Sequence, residues 1–258
     1  MKFISVLTII LFFELAESEL YEKSLNWNKY TKDGEYSETL AKSDFGSVTG
    51  WQNDRAMISN GTLRITLRKN ALSNHCGIVS NTKIPAASEY QLDFSVKFHS
   101  KFNWSRGGKI GFGLGVGDHN TGCRMPKDGE GGSLRLMWYN TKNRVYFIPY
   151  IYYADMTPKC GNNFTKTYPK TNSIEKGKWY RVHMYMKSNT GQNEDGHVQI
   201  KINNEILLNQ KIRWTTQPNK RLIDNLSFHT FRGGSEEHWK SNTDDYIYYD
   251  NFSIKQMK

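Results

Sequence analysis

Cysteine is scarce in this chain: three in 258 residues, Cys76, Cys123 and Cys160. An odd count in an oxidising compartment leaves one thiol unpaired or bridged to another chain. Long apolar runs are scarcer still. The stretch from Phe3 to Phe13 falls far short of the roughly 20 residues that a spanning helix needs, and no later segment is long and apolar enough to cross a bilayer. Several catalytic signatures are missing too. The seven histidines (His75, His99, His119, His183, His197, His229 and His238) form no His-Glu-x-x-His pair and no zinc spacing with the cysteines, so no metal site is expected. No Gly-x-Ser-x-Gly elbow is present. The paired-carboxylate strand of a retaining glucanase sandwich is absent, as are phosphate loops and recognisable nucleic-acid modules.

What is present begins with a leader. Residues 1–18 read as a secretory signal: Lys2 for charge, the apolar run, then Ala16-Glu17-Ser18 as a small-residue cleavage site. A secreted, extracellular protein with no membrane anchor is expected. Basic residues outnumber acidic ones, 35 to 25, and the formal charge is +10. The leader carries Lys2, Glu14 and Glu17, so its removal raises that charge by one. In a secreted protein this excess suits polyanionic partners, acidic polysaccharide among them. Sequons start at Asn60, Asn103, Asn163, Asn225 and Asn251. The first four are candidate glycosylation sites; Asn251 falls in an expected strand and is the poorest. Cys123 and Cys160 lie in Gly/Pro/Lys-rich loops flanking two expected strands and are expected to pair across that hairpin. Cys76 would then be a buried free thiol, although spacing alone leaves the other two pairings open.

Period-2 alternation runs through the chain. Leu63, Ile65 and Leu67 alternate with Arg64, Thr66 and Arg68; Leu92, Phe94, Val96 and Phe98 alternate with Asp93, Ser95 and Lys97. Ile110, Phe112, Leu114 and Val116 are threaded by glycines, and further runs span 145–153, 179–187, 198–202 and 246–254. Turn-rich separators such as 128–132, 140–143 and 191–196 divide them. No helical period of useful length follows the leader, and there is no repeat, low-complexity tract or domain-breaking linker. Many short strands in one chain of this length predict an all-β, single-domain, jelly-roll β-sandwich of the concanavalin-like type. Its expected bounds are 46–258, after an N-terminal extension over 19–45.

Two segments carry candidate chemistry. Arg106-Gly107-Gly108-Lys109 is a cationic, glycine-hinged strand entry, and Ser133-Leu134-Arg135-Leu136-Met137-Trp138 is a strand with Ser133 and Arg135 on one face. Lys109, Ser133 and Arg135 could gather in a groove suited to carboxylates, with Tyr146 supplied across the turn at 140–143. These segments, together with Thr230-Phe231-Arg232-Gly233-Gly234-Ser235, Trp239 and Tyr248-Tyr249-Asp250-Asn251-Phe252, resemble polysaccharide lyase family 14 from about Gly46 to Ile254.

The resemblance implies a jelly roll and eliminative cleavage of a polyuronate of alginate or glucuronan type, with no obligatory cofactor. It implies catalytic roles for Lys109, Tyr146, Arg135 and Ser133. Substrate contacts are expected from Tyr150, Tyr152, His119, Trp239 and Arg232. Two departures stand out: Ile148 occupies the second place of the family's Tyr-x-Tyr, and Arg232 stands where an aromatic is expected. The alternative is a non-catalytic, lectin-like binder of acidic polysaccharide on the same scaffold. In either case the expected partner is acidic polysaccharide rather than nucleic acid or membrane, and the expected state is a monomer.

Overall fold

A computed structural model describes residues 19–141 and 143–258. Residues 1–18, where a leader is expected, lie outside the described residues. Fifteen strands are seen among them. The first eight are β1 (Glu22–Leu25), β2 (Gly34–Glu35), β3 (Val48–Thr49), β4 (Ala56–Ser59), β5 (Thr62–Leu67), β6 (Ile78–Ala87), β7 (Glu89–Phe98) and β8 (Gly107–Gly117). The others are β9 (Gly131–Thr141), β10 (Arg144–Tyr152), β11 (Trp179–Lys187), β12 (Gly196–Ile202), β13 (Glu205–Ile212), β14 (Ile223–Arg232) and β15 (Asp245–Gln256). Two short helices, α1 (Glu38–Phe45) and α2 (Ser73–Cys76), complete the main elements.

The strands form two antiparallel sheets in a jelly-roll sandwich. One has nine strands, ordered β13-β12-β11-β7-β15-β5-β4-β2, with β1 also paired to β15; the other has six, ordered β10-β9-β8-β14-β6-β3. Alternation explains the layering. Along β7, Tyr90, Leu92, Phe94, Val96 and Phe98 are buried, while the residues between them face outward. Aromatic rings bridge the sheets at the centre. Phe112 of β8 lies 5.5 Å from Phe94, 4.7 Å from Phe228 and 4.5 Å from Phe252. Such pairs add about 0.5–1.5 kcal/mol each beyond the area they bury.

The stretch expected as an N-terminal extension is woven into the sandwich. Leu25, Trp27, Tyr36, Ala41 and Phe45 are buried, and β1 pairs with the C-terminal strand from Glu22↔Lys255 to Leu25↔Phe252. Residue 46 is therefore no structural boundary. Helix α1, capped by Ser37 Oγ accepting from the Leu40 N–H, is too short to show a clear helical period in the sequence.

Cys123 and Cys160 are disulfide-bonded and Cys76 is a buried free thiol, as expected. The bridge joins the loop before β9 to the loop after β10, both on the rim of the six-stranded sheet.

Candidate active site

The outer face of the six-stranded sheet holds a groove of about 780 Å³. Strand register determines what meets there. At the hairpin end Thr141 pairs with Arg144, so Tyr146 falls opposite Tyr139, Ile148 opposite Met137, and Tyr150 opposite Arg135. On the far side of β9, Met137 pairs with Lys109 of β8, which in turn pairs with Phe231 of β14. The result is a centre built by four adjacent strands: Tyr150, Arg135, Lys109 and His229.

Glycine makes this convergence possible. The β8 ladder slips between Ile110 and Leu114, where Gly111 adopts φ +71°, and its N–H is taken up by the Tyr249 and Thr230 hydroxyls at 3.0 and 3.2 Å. A Cβ on Gly113 would sit 3.1 Å from Arg135 Cγ and 2.4 Å from the Leu134 carbonyl oxygen. Without one, the Arg135 side chain lies across β8 toward His229.

The electrostatics are unusual for a surface groove. Lys109 is 8% exposed and Arg135 4%. The Lys109 ammonium sits 4.3 Å above the Tyr150 ring, and the Arg135 guanidinium lies 5.3 Å from that ring and 5.5 Å from Tyr152. Burial, and secondly the charge of Arg135, lower the Lys109 pKa to about 7. Burial and then the adjacent Tyr152 push the Tyr150 phenol well above its ordinary value. His229 is pushed down to about 3 by burial, Arg135 and Lys109, so it is neutral. Arg135 Nη1 donates to His229 Nδ1 at 3.4 Å, which leaves the histidine proton on Nε2. That Nε2, together with Nε and Nη2 of Arg135, is buried without a partner. Three orphaned donors beside one cavity are costly unless a ligand satisfies them.

Among the described residues, no Asp or Glu lines the groove. Glycoside hydrolysis by a carboxylate pair therefore has no groups to use there. One end is aromatic. Trp239 packs 5.9 Å from Tyr139, and Tyr139 lies 6.0 Å from Tyr146. Arg106 and Arg144 lie against the Tyr139 and Tyr146 rings at 4.6 and 4.5 Å.

Of the residues expected at the site, Lys109, Arg135, Tyr146, Tyr150 and Trp239 line the groove. Four do not. Ser133 is buried with its hydroxyl donating to the Asn120 carbonyl at 2.7 Å, so it holds a loop. Tyr152 is fully buried, and its hydroxyl accepts from the Cys123 N–H at 2.9 Å. His119 is paired with Asp224 at 2.7 Å and packs over Gly115, outside the lining of the groove. Arg232 falls on the opposite side of β14 from His229 and Phe231; it is 0% exposed and ion-paired with buried Asp245. Strand parity puts it in the interior. Its guanidinium also lies 5.5 Å from the Phe102 ring, which accounts for the missing aromatic as a packing exchange.

Among the sequons, Asn225 is buried with its amide donating to Asn81, so it cannot bear a glycan in place. Asn60 and Asn103 are exposed, and Asn163 lies on the groove rim. His229 was not singled out from the sequence. The signal was available in the alternation Ser227, His229, Phe231 along β14, but not the knowledge of which face was open.

A jelly roll whose groove gathers a neutral-leaning amine, a protonated phenol and an unsatisfied guanidinium defines a protein that handles acidic polysaccharide. The profile of the family described as polysaccharide lyase 14 matches residues 55–252, and the chain belongs to that family. It is a lyase acting on uronate-containing polymers. Among solved structures it is similar to the alginate lyase Aly36B, at 52% identity and TM-score 0.90, covering 92% of this chain and 97% of that one. A doubly substituted form of that enzyme, solved in complex with alginate tetrasaccharide, is 51% identical over 92% of this chain and 97% of that one, again with TM-score 0.90. The marine PL-14 alginate lyase from Aplysia kurodai shares the fold, with TM-score 0.64 at 22% identity, covering 84% of this chain and 93% of that one. No curated protein matches.

Proposed function

We propose that the protein is a secreted lyase that cleaves alginate by β-elimination, with Lys109 as base, Tyr150 as acid and Arg135 as the carboxylate neutraliser. One observation carries the assignment: two proton-transfer groups in contact whose environments drive their pKa values apart. An amine near pH 7 is free to accept a proton, while a phenol held protonated can give one.

The uronate C5 proton becomes acidic once its carboxylate is neutralised. Arg135 offers Nε and Nη2 to that carboxylate, and His229 Nε2–H adds a third donor. The Lys109 amine takes the C5 proton. The electron pair left behind forms the C4=C5 double bond as the C4–O bond breaks. Tyr150 delivers its proton to the departing oxygen, and the new Lys109 ammonium, 4.3 Å above the ring, returns a proton to the phenolate. Atoms and charges balance, and no further reactant is needed.

Tyr150 takes the place of Tyr146 as the tyrosine partnered with Lys109 in proton transfer. Tyr146 stacks beside Arg144 and Tyr139 at the aromatic end, two rows from Arg135. The Aly36B structures support both the lysine and the tyrosine. One double variant solved with alginate tetrasaccharide lacks a lysine and a tyrosine; another, solved with a trisaccharide, lacks the same lysine and a methionine. That lysine and methionine are as far apart in sequence as Lys109 and Met137 are here, and its tyrosine falls one residue from both Tyr150 and Tyr152, of which Tyr150 lines the groove. Secretion rests on the leader-like residues 1–18 and fits the disulfide.

Purified protein mixed with alginate should generate the ultraviolet absorbance of a double bond conjugated to a carboxylate. Lys109→Ala and Tyr150→Phe should each abolish it while Tyr146→Phe retains it. A binder of alginate that produces no absorbance would instead be the lectin-like protein.

A further inference from the structure

We propose that the outer face of the nine-stranded sheet carries a second, non-catalytic track for acidic polysaccharide. The choice of polymer rests on the lyase reading above; the track itself rests on residues remote from the groove.

Outward-facing side chains form a continuous row across five strands. Met57 of β4 pairs with Arg64 of β5, Arg64 with Tyr248 of β15, Tyr248 with Lys97 of β7, and Lys97 with Trp179 of β11. At about 4.8 Å per strand this row spans roughly 19 Å, enough for several linked sugar units. Lys97 Nζ lies between two rings, 4.6 Å from Trp179 and 5.0 Å from Tyr248. Arg64 covers Tyr246 at 4.8 Å. One row along, Arg181 and Ser95 join Trp179, Asn203 and Asn204 around a shallow hollow of about 320 Å³.

Two features point to a ligand. Trp179 is 37% exposed, the largest side chain among the exposed apolar residues described. Indole faces on a rigid sheet stack well against the C–H faces of sugar rings. Second, Lys97, Arg64 and Arg181 have no carboxylate within ion-pairing distance among the described residues. Of the acids nearby, Asp93 bonds His183 and also feels the charge of Arg181, Glu89 is held by Tyr185 and Lys187, and Asp250, opposite Ser95, accepts from the Asn251 N–H. Packing between cation and ring explains the Lys97 sandwich. It does not explain why Lys97 and Arg64 stand without an ion-pair partner among the described residues beside an exposed indole. Stacking rings interleaved with free cations match a polymer whose units present both an apolar face and a carboxylate. A track here would hold the chain to its polymer while the groove on the opposite sheet turns over.

The test is native-gel retardation by alginate, glucuronan and hyaluronan, using the full chain carrying Lys109→Ala so that the polymer stays intact. Adding Trp179→Ala or Lys97→Gln should weaken retardation by alginate at least fivefold. On the otherwise native chain, the same two substitutions should leave turnover of alginate tetrasaccharide within twofold, which also reports that both variants fold. Unchanged retardation by all three polymers would overturn the proposal. So would retardation unaffected by either substitution but accompanied by loss of a dimer in sedimentation, because a second copy would then own the face. Native protein that forms no unsaturated product, yet is retarded through Trp179 and Lys97, would sink the catalytic reading and leave the track standing.

Discussion

Replacing Lys109 with methionine should destroy activity and stabilise the fold at once. The unfolded lysine titrates near 10.5 and the folded one near 7. The folded state therefore binds its proton less tightly, and the unfolded state holds more protons between those two values. Stability from this group rises with pH across that window, and the full penalty applies below about pH 7. A gap of roughly 3.5 units corresponds to at most about 5 kcal/mol at pH 6. Loss of the contact with Tyr150 subtracts about 1–2 kcal/mol. Methionine, of similar length and without charge, should therefore stabilise by about 3–4 kcal/mol at pH 6. For a chain of this size that is roughly 6–16 °C in Tm. At pH 9 the native lysine is already neutral when folded, and the penalty falls to roughly 2 kcal/mol, so the gain should nearly vanish. Thermal unfolding of both proteins at the two pH values decides the matter. An equal Tm shift at both, or a destabilised variant at pH 6, would refute a buried, proton-poor Lys109.

Other outcomes follow from the same geometry. Tyr150→Phe should lower kcat by about 10²–10⁴, whereas Tyr146→Phe, at the aromatic end, should chiefly raise KM; steady-state kinetics on alginate separates the two. The rate constant kcat/KM should climb about tenfold per pH unit up to about 7 as Lys109 loses its proton, then stay level through pH 9, because the Tyr150 phenol ionises later still. A Cβ on Gly233 would come within 2.8 Å of Lys109 Nζ, so Gly233→Ala should displace the amine and lower kcat about tenfold with little change in Tm. Replacing Cys123 and Cys160 with serine removes a bridge 37 residues long and should cost about 3–4 kcal/mol by chemical denaturation.

Much of this was legible in the residues, and the exceptions have physical causes. Alternation such as Leu63-Ile65-Leu67 exposes one face of a strand, so the sandwich and the shared face of Ser133 and Arg135 could be read directly. Which face opens to solvent could not. Ser133 and Arg135 do lie on the same side, yet a loop carbonyl captures the first and the groove receives the second. Tyr146 looked the nearer partner because it follows the turn. The register set by Thr141↔Arg144 puts Tyr150, not Tyr146, opposite Arg135, and a tight turn at 140–143 contains that arithmetic. Arg232 reads as a surface cation in one dimension. Its buried partner Asp245 lies across an intervening loop, and nothing local announces the pair. Residues 19–45 lack a long alternating run, so their strand and helix showed only through the aromatic residues they bury.

Elimination and hydrolysis part company over the fate of water's oxygen. Alginate should be digested in water enriched in heavy oxygen, and the fragments weighed by mass spectrometry. Elimination predicts fragments whose summed mass equals the parent chain, with an unsaturated end and no heavy oxygen. Fragments that each gain a water, with heavy oxygen at the new end, would show hydrolysis and contradict the roles given to Lys109, Tyr150 and Arg135.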